Sequence, residues 1–437
     1  MTRDYSTLEG HETRARKAGM SMHVTPTVSQ LQYTDAVKLV NAVAWAGEQL
    51  GLELGQLDPD SIILAAKRQT GLEDLGDPTF LAPMRRIAEE IGDNEEMTAL
   101  ARVIMRQSLV MAVRNRLQCV DYLKKNPSIE EQKIERPIFV LGFPRTGTTV
   151  LQNLLSLDPR RRGLEFWELT LPVPVHPDWA IDRDRRRRQV SWILRAAYQM
   201  SPEMAQVHYI DVDTVEECWP LFCMNFAVLN WDLQTGISRW GDYLMQEHDM
   251  HLPYEEYRTA LKLLLERNPA EQLVLKCPEH LFFVDSLLHA FPDACIVQTH
   301  RDPYRVLGSY CSLMSLQWRN LYGKIDRERI GAHMEKRLLD GVNRAMAARD
   351  AHGDESRFFD VRFHELVEDQ AAIVRQIHEH FDLELAPDHD DAVQAYLSTE
   401  REDARGKHKY DPEHYGFDRD RVHERYAHYI ERFGIKT

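Results

Sequence analysis

Residues 142–149 read Gly-Phe-Pro-Arg-Thr-Gly-Thr-Thr, a glycine-bounded turn carrying one cation and three hydroxyls. That combination suits a bound phosphate. Glycine lets backbone N–H groups come close to an anion, and the first turn of a following helix adds unpaired N–H groups and a partial positive charge. The spacing Gly142-x4-Gly147-Thr148-Thr149 is a P-loop frame, with Thr148 where the nucleotide-triphosphate version has the lysine that reaches the β/γ-phosphates. The nearest cation is Arg145, inside the loop. Such a loop holds a phosphate but is poorly built for ATP or GTP hydrolysis. A second set of candidates is Lys276-Cys-Pro-Glu-His280. A third is Arg301-Asp-Pro, with Ser309 eight residues after Arg301. Arginine offers a fork of donors and serine a hydroxyl, so the two can converge on one phosphate. A base for such a site could be Glu165 or Glu168, shortly after the loop, or His280. Histidine is the better base by its unperturbed pKa, while a desolvated glutamate is raised into range.

These residues need elements to position them. Ile138 to Leu141 is a wholly apolar run, the pattern of a strand buried on both faces, and Thr148 to Leu157 has helical spacing. Leu273 to Lys276 reads as a second buried strand. A helical pattern over Leu281 to Phe291 and a strand over Ala294 to Thr299 follow, which makes a parallel βαβ unit. Arg301 then stands at a strand end and Ser309 two turns into the next helix. Phe358 to Phe363 is another short strand. Before the first strand the pattern is helical throughout, over Gln30–Leu50, Asp60–Thr70, Thr79–Ile91 and Met97–Leu123. Asp60 and Thr79 fall where N-caps or first-turn residues belong, and Gly51, Gly71 and Gly92 where helices stop. The expected organisation is a polar arm over 1–27, a helical cap over 28–130 and an α/β domain over 131–437, with a substrate cleft between cap and core.

Strand, loop and helix around Pro-Arg-Thr-Gly-Thr-Thr resemble the 5′-phosphosulfate loop of sulfotransferases that use 3′-phosphoadenosine 5′-phosphosulfate (PAPS). The Arg301/Ser309 pair resembles the 3′-phosphate motif of the same family, in the expected order. The similarity extends from about Ser29 to the C-terminus and is nearest the actinobacterial-type branch, which carries a long helical segment before the loop. It implies a P-loop-type parallel sheet flanked by helices, the sulfotransferase fold, with an N-terminal helical cap. It further implies that Arg145, Thr146, Gly147, Thr148 and Thr149 hold the 5′-phosphosulfate, and that Arg301 and Ser309 fix the 3′-phosphate. Phe363 falls where the family has an aromatic residue against the adenine. Arg405 and Lys407 belong to a basic, glycine-bearing segment like the one that closes over the 3′-phosphate. Arg145 and Lys276 would meet charge growing in the transition state, Glu168 (or its neighbour Glu165) or His280 would take the proton, and no metal is required. The chain departs from the cytosolic small-molecule enzymes in having Arg145 for their lysine and three residues, not one, between Lys276 and His280. It also lacks their C-terminal dimerisation signature, so the sequence does not give the oligomeric state.

The composition narrows the acceptor. The chain has 437 residues, is 43% hydrophobic and carries a net charge of −15, a field that repels nucleic acid and polyanionic glycans. The aromatic stretch His208–Trp231 reads as core or, where it faces a cleft, as suited to an apolar or aromatic hydroxyl compound. No apolar run is long enough to span a membrane, and the first residues have no apolar core for a secretory signal, so the expected location is the cytoplasm. Six cysteines without CxxC or paired-histidine spacing indicate reduced thiols. The basic run Arg183–Arg188 reads as a solvated helix start or a rim for an anionic donor. Two other readings stand beside the sulfotransferase: a P-loop kinase-like phosphotransferase, and a PAPS-fold binding module without chemistry.

Overall fold

The computed structural model describes residues 55–204, 209–399 and 410–437, with a few positions between 38 and 47. The arm over 1–27, most of the helix expected over Gln30–Leu50, and Arg405 and Lys407 lie outside the described residues.

The helical segment contains α1 (Pro59–Thr70), α2 (Leu81–Gly92) and α3 (Ala99–Lys125). The cap of α1 is Asp58, whose carboxylate accepts from the Ser61 N–H, with Pro59 at the first helical position and Asp60 in the first turn. Gly71 ends α1 in the left-handed region, as expected. Thr79 sits in a 3₁₀ turn, Pro78–Phe80, that Asp77 caps and that leads into α2. These helices share one continuous apolar core with the rest of the chain, from Leu57 to Ile435. Polar ties reinforce the docking: Arg116 of α3 pairs with Glu256 and donates to the Asn225 side chain, and Asn115 donates to the Thr170 carbonyl.

The sheet has five parallel strands, β1 (Ile138–Gly142), β2 (Arg161–Arg162), β3 (Gln272–Lys276), β4 (Cys295–His300) and β5 (Phe358–Arg362), in the order β2-β3-β1-β4-β5. The alternation of side chains on β1 assigns its two faces. Ile138 and Val140 join the cluster formed with Leu151, Leu154 and Leu155 of α4 (Thr148–Leu155). Phe139 and Leu141 point into the core shared with the helical segment. Helices cover both faces, which is why β1 reads as an uninterrupted apolar run. After β2 come the short α5 (Phe166–Thr170), the long α6 (Trp179–Met200) and α7 (His251–Arg267).

The β3–β4 connection differs in detail from the sequence expectation. Pro278 starts a 3₁₀ turn, Pro278–Phe282, and Phe283 breaks the helical path before α8 (Val284–Ala290) begins. Of the aromatic stretch before it, Phe222, Met224, Phe226 and Trp231 are core, Trp219 is half-buried and Tyr209 is exposed. After β4, α9 (Pro303–Tyr322) starts at Pro303 with Asp302 as its cap, and α10 (Gln370–His380) packs outside β5 and α4. Chain connections run to β3 and β2 on one side of β1 and to β4 and β5 on the other. The C-terminal end of β1 is thus a topological switch point, where open α/β sheets bind ligands. No helix among the described residues is long and apolar enough to cross a membrane.

Candidate functional site

Four adjacent strands deliver the site residues at their C-terminal ends. β1 runs into the loop. At its mouth Gly142 has φ 144°, and a Cβ there would lie 2.4 Å from Thr299 Oγ1 of β4, so no other residue allows that approach. Thr146 is fully buried, and its hydroxyl donates to the Phe143 carbonyl and pairs with Thr299 Oγ1 at 2.6 Å. The Thr146 side chain therefore pins the loop to β4, which leaves backbone N–H groups to face an anion. Thr299 does the matching work, and nothing in its sequence context marks it. Arg145 adopts φ 68°, rare for a residue with a side chain, and Gly147 has φ 91°. No side chain caps α4 at Gly147. The N–H groups of its first turn have no intrahelical acceptor, the arrangement that binds phosphate.

The second phosphate motif closes on this loop. Arg145 Nε donates to Ser309 Oγ at 3.2 Å, and Arg301 donates to the Arg145 carbonyl at 2.7 Å. Residues 156 and 164 positions apart in the chain are thus brought together, as their motifs required. Phe363, at the start of the helix after β5, lies against both: the Arg301 guanidinium sits 3.9 Å from its ring centroid, and its edge approaches Gly147. The ring face nearest the site is therefore covered by Arg301, a cation–π contact, where sequence resemblance placed an adenine. A cavity of about 190 Å³ opens beside them, and its lining includes the cations Arg301, Arg305, Arg362 and Lys436, the carboxylate Asp302, and Phe363. Described chain resumes after position 409 at Tyr410, which abuts Gly308, one residue before Ser309.

Lys276 ends β3 in register with Val140 of β1. Its side chain is fully buried, with Nζ 3.1 Å from Thr149 Oγ1 and 3.2 Å from Glu217 Oε1. Burial alone would pull its pKa down, but the carboxylates of Glu217 and Glu216 outweigh it and hold the ammonium above its ordinary value. Glu217 reaches this point because the chain beside it is tied to the end of β3, where the Cys218 N–H donates to the Lys276 carbonyl. Sequence reading missed Glu217. It lies in an aromatic-rich stretch with no motif, and only the fold sets it beside Lys276.

Each expected proton acceptor is held by other groups. Glu168 is 1% exposed, and its carboxylate takes the Arg162 guanidinium and the Glu165 N–H, half of a capping box that opens α5. Glu165 closes the box and also accepts from Trp167 Nε1 at 2.6 Å, while burial raises its pKa. Both carboxylates are engaged in local structure. His280 is fully buried within a ring of aromatic side chains, Phe139, Phe222, Tyr254 and Tyr257, with Nδ1 bonded to Tyr254 Oη at 2.9 Å. Burial lowers its pKa to about 3, so it is neutral at pH 7. The 3₁₀ turn at Pro278 sets the imidazole against Phe139 of the central strand β1, while Lys276 reaches Thr149 of the loop helix. No group of three or more His, Cys, Asp or Glu side chains able to hold a metal occurs among the described residues.

The fold and the loop define an α/β protein of P-loop type with a paired phosphate site at the strand ends. A sequence profile described as the sulfotransferase family matches residues 137–387, more than half of the chain. The chain belongs to the sulfotransferase family. It is 28% identical to the sulfotransferase STF9 of Mycobacterium avium, whose crystal structure superposes with a TM-score of 0.78 over 86% of this chain and 97% of that one. The crystal structure of sulfotransferase STF1 from Mycobacterium tuberculosis gives 29% identity and a TM-score of 0.75, covering 84% of this chain and 98% of that one. Among curated proteins, the chain is 24% identical over 258 residues to the omega-hydroxy-beta-dihydromenaquinone-9 sulfotransferase Stf3 of Mycobacterium bovis and of Mycobacterium tuberculosis. That match covers 56% of this chain and 63% of each relative's length. The expected family, its actinobacterial character and the α/β fold are thereby borne out.

Proposed function

We propose that this protein transfers a sulfuryl group from PAPS to the hydroxyl of a small, apolar or lipid-like acceptor. The observation that carries the proposal is the convergence of Arg145, Ser309 and Arg301 on the uncapped N-terminus of α4. This donor set suits a ligand with phosphate at both its 5′ and 3′ positions, and Arg301 with Ser309 disfavours ATP, which lacks the 3′-phosphate. The co-substrate supplies an activated sulfuryl group. The protein supplies the rest by positioning and charge. Backbone N–H groups of Thr146 to Thr149 cradle the 5′ end, and Lys276 and Arg145 stand where negative charge grows on the departing and equatorial oxygens.

Glu217 takes over the role sought for Glu168, Glu165 and His280. As the acceptor oxygen bonds to sulfur and the bond to the departing phosphate oxygen breaks, the hydroxyl proton passes to the Glu217 carboxylate. Its ion pair with Lys276 ties the base and the charge-stabilising ammonium to one strand end. The apolar acceptor class is favoured by the acidic net charge and by the name of the Stf3 relatives, which act on a menaquinone derivative. The test is sulfate transfer from radiolabelled PAPS to long-chain and aromatic alcohols by wild type and Glu217→Gln. A loss of roughly 10²–10⁴-fold in turnover with unchanged donor binding is expected. Near wild-type turnover in the variant would return the base to Glu165 or Glu168.

A further inference from the structure

We propose that the outer face of α6 docks the protein on an anionic lipid bilayer. At helical spacing Ile181, Arg185, Arg188, Trp192 and Arg195 fall on one stripe of α6, and all are exposed. Trp192 is 69% exposed and Ile181 42%, the former the largest apolar side chain on the described surface to be so open. Ile193, 40% exposed, lies off the stripe, at i+3 from Val190 and i+7 from Arg186. The opposite stripe, Asp182, Arg186 and Val190, holds the helix to the body. Asp182 pairs there with Arg186, whose guanidinium lies over Trp167 of α5.

Charge sorts the possible occupants. Arg186 and Arg187 are neutralised by Asp182 and Asp213, whereas Arg185, Arg188 and Arg195 have no carboxylate partner among the described residues. Asp184 is the acidic group beside the stripe, and Arg188 bonds only to its backbone carbonyl. A cationic stripe on a chain of net charge −15 selects an anionic partner. Apolar groups set among the arginines select one that also has an apolar interior. Arg195 lies 5.3 Å from the Trp192 ring centroid, an amphipathic pair suited to the headgroup level, with ring inward and guanidinium at the phosphates. A nucleic acid would use the arginines and gain nothing from Ile181. The face is also near the chemistry, because α6 packs on α5, whose cap residue Glu165 pairs with Val215, two residues before Glu217.

The docking surface is independent of the sulfotransfer reading, and its test needs no turnover. Sedimentation with vesicles of phosphatidylcholine alone, and of phosphatidylcholine with phosphatidylglycerol, measures partitioning directly. Binding is expected only to the anionic vesicles, and high salt should release it. Arg188→Ala should weaken partitioning about fivefold. Trp192→Ala should weaken it about tenfold although all charge is kept. Both sites are exposed, so the variants should retain wild-type circular dichroism. Absence of binding to anionic vesicles, or binding unaffected by Trp192→Ala, would overturn the proposal, the latter pointing to a soluble polyanion. A Trp192→Ala change from dimer to monomer by light scattering would overturn it in favour of a second copy of the chain. Nucleotide binding, measured separately, reports on the donor site alone.

Discussion

His280 should make stability depend on pH without taking part in turnover. The imidazole is buried and its pKa lies at about 3, against 6.5 for an unperturbed histidine. The unfolded chain therefore binds a proton below pH 6.5 that the folded chain refuses. The stabilisation this gives is fully present above pH 6.5 and is lost as pH falls toward 3. The slope is about half of 1.4 kcal/mol per pH unit at pH 6.5 and approaches the full value below it, so comparing pH 6.5 with pH 4.5 isolates a loss of about 2.3 kcal/mol from this residue. In His280→Phe the ring fits an already aromatic enclosure and that loss disappears. The Tyr254 hydroxyl forfeits its hydrogen-bond partner, at a cost of about 1–3 kcal/mol that does not vary with pH in this range. Urea denaturation of both proteins at the two pH values gives the difference of differences, which also cancels His378, likewise lowered to about 4. Equal pH slopes for wild type and variant would refute the reasoning and would mean that the native imidazole accepts a proton. Turnover of His280→Phe should remain close to wild type.

Two further substitutions separate architecture from chemistry. Glu168→Gln strips the buried Arg162 of its counter-charge and should destabilise the fold by about 3–5 kcal/mol, read as a shift in denaturation midpoint, while the folded fraction keeps its turnover. Gly147→Ala forces a side chain into φ 91° and sets a Cβ 2.7 Å from Leu366 Cδ2, so stability should fall by about 1–2 kcal/mol or more and nucleotide binding should weaken with it. An unchanged melting curve for that variant would mean that the loop relaxes without cost.

What the sequence disclosed follows from how local each signal is. The loop, the strand before it and the helix after it are contiguous, and their glycines, prolines and apolar runs encode turn, strand and helix directly. Arg301 and Ser309 were legible because a strand end and two helical turns fix their relation within nine residues. Lys276 was placed correctly by the same logic, as the last residue of a buried strand. The surroundings of His280 were not legible, because they depend on the 3₁₀ turn that Pro278 starts and on aromatic residues from distant parts of the chain, Phe139, Phe222, Tyr254 and Tyr257. Glu165 and Glu168 stand in the sequence as base candidates, and their spacing of three is also that of the capping box the structure shows. Glu217 and Thr299 carry no local signature. Each acts through a contact made across strands, and only the order β3-β1-β4 brings them to the loop.

The most direct test of the account is calorimetric binding of 3′-phosphoadenosine 5′-phosphate, compared with ATP and AMP, to wild type and to Arg301→Ala. Binding of the 3′-phosphorylated nucleotide alone, weakened by roughly 10-fold or more when the Arg301 fork is removed, is the predicted result. Equal or tighter binding of ATP, or no effect of Arg301→Ala, would contradict the assignment of the second phosphate site and with it the proposed donor.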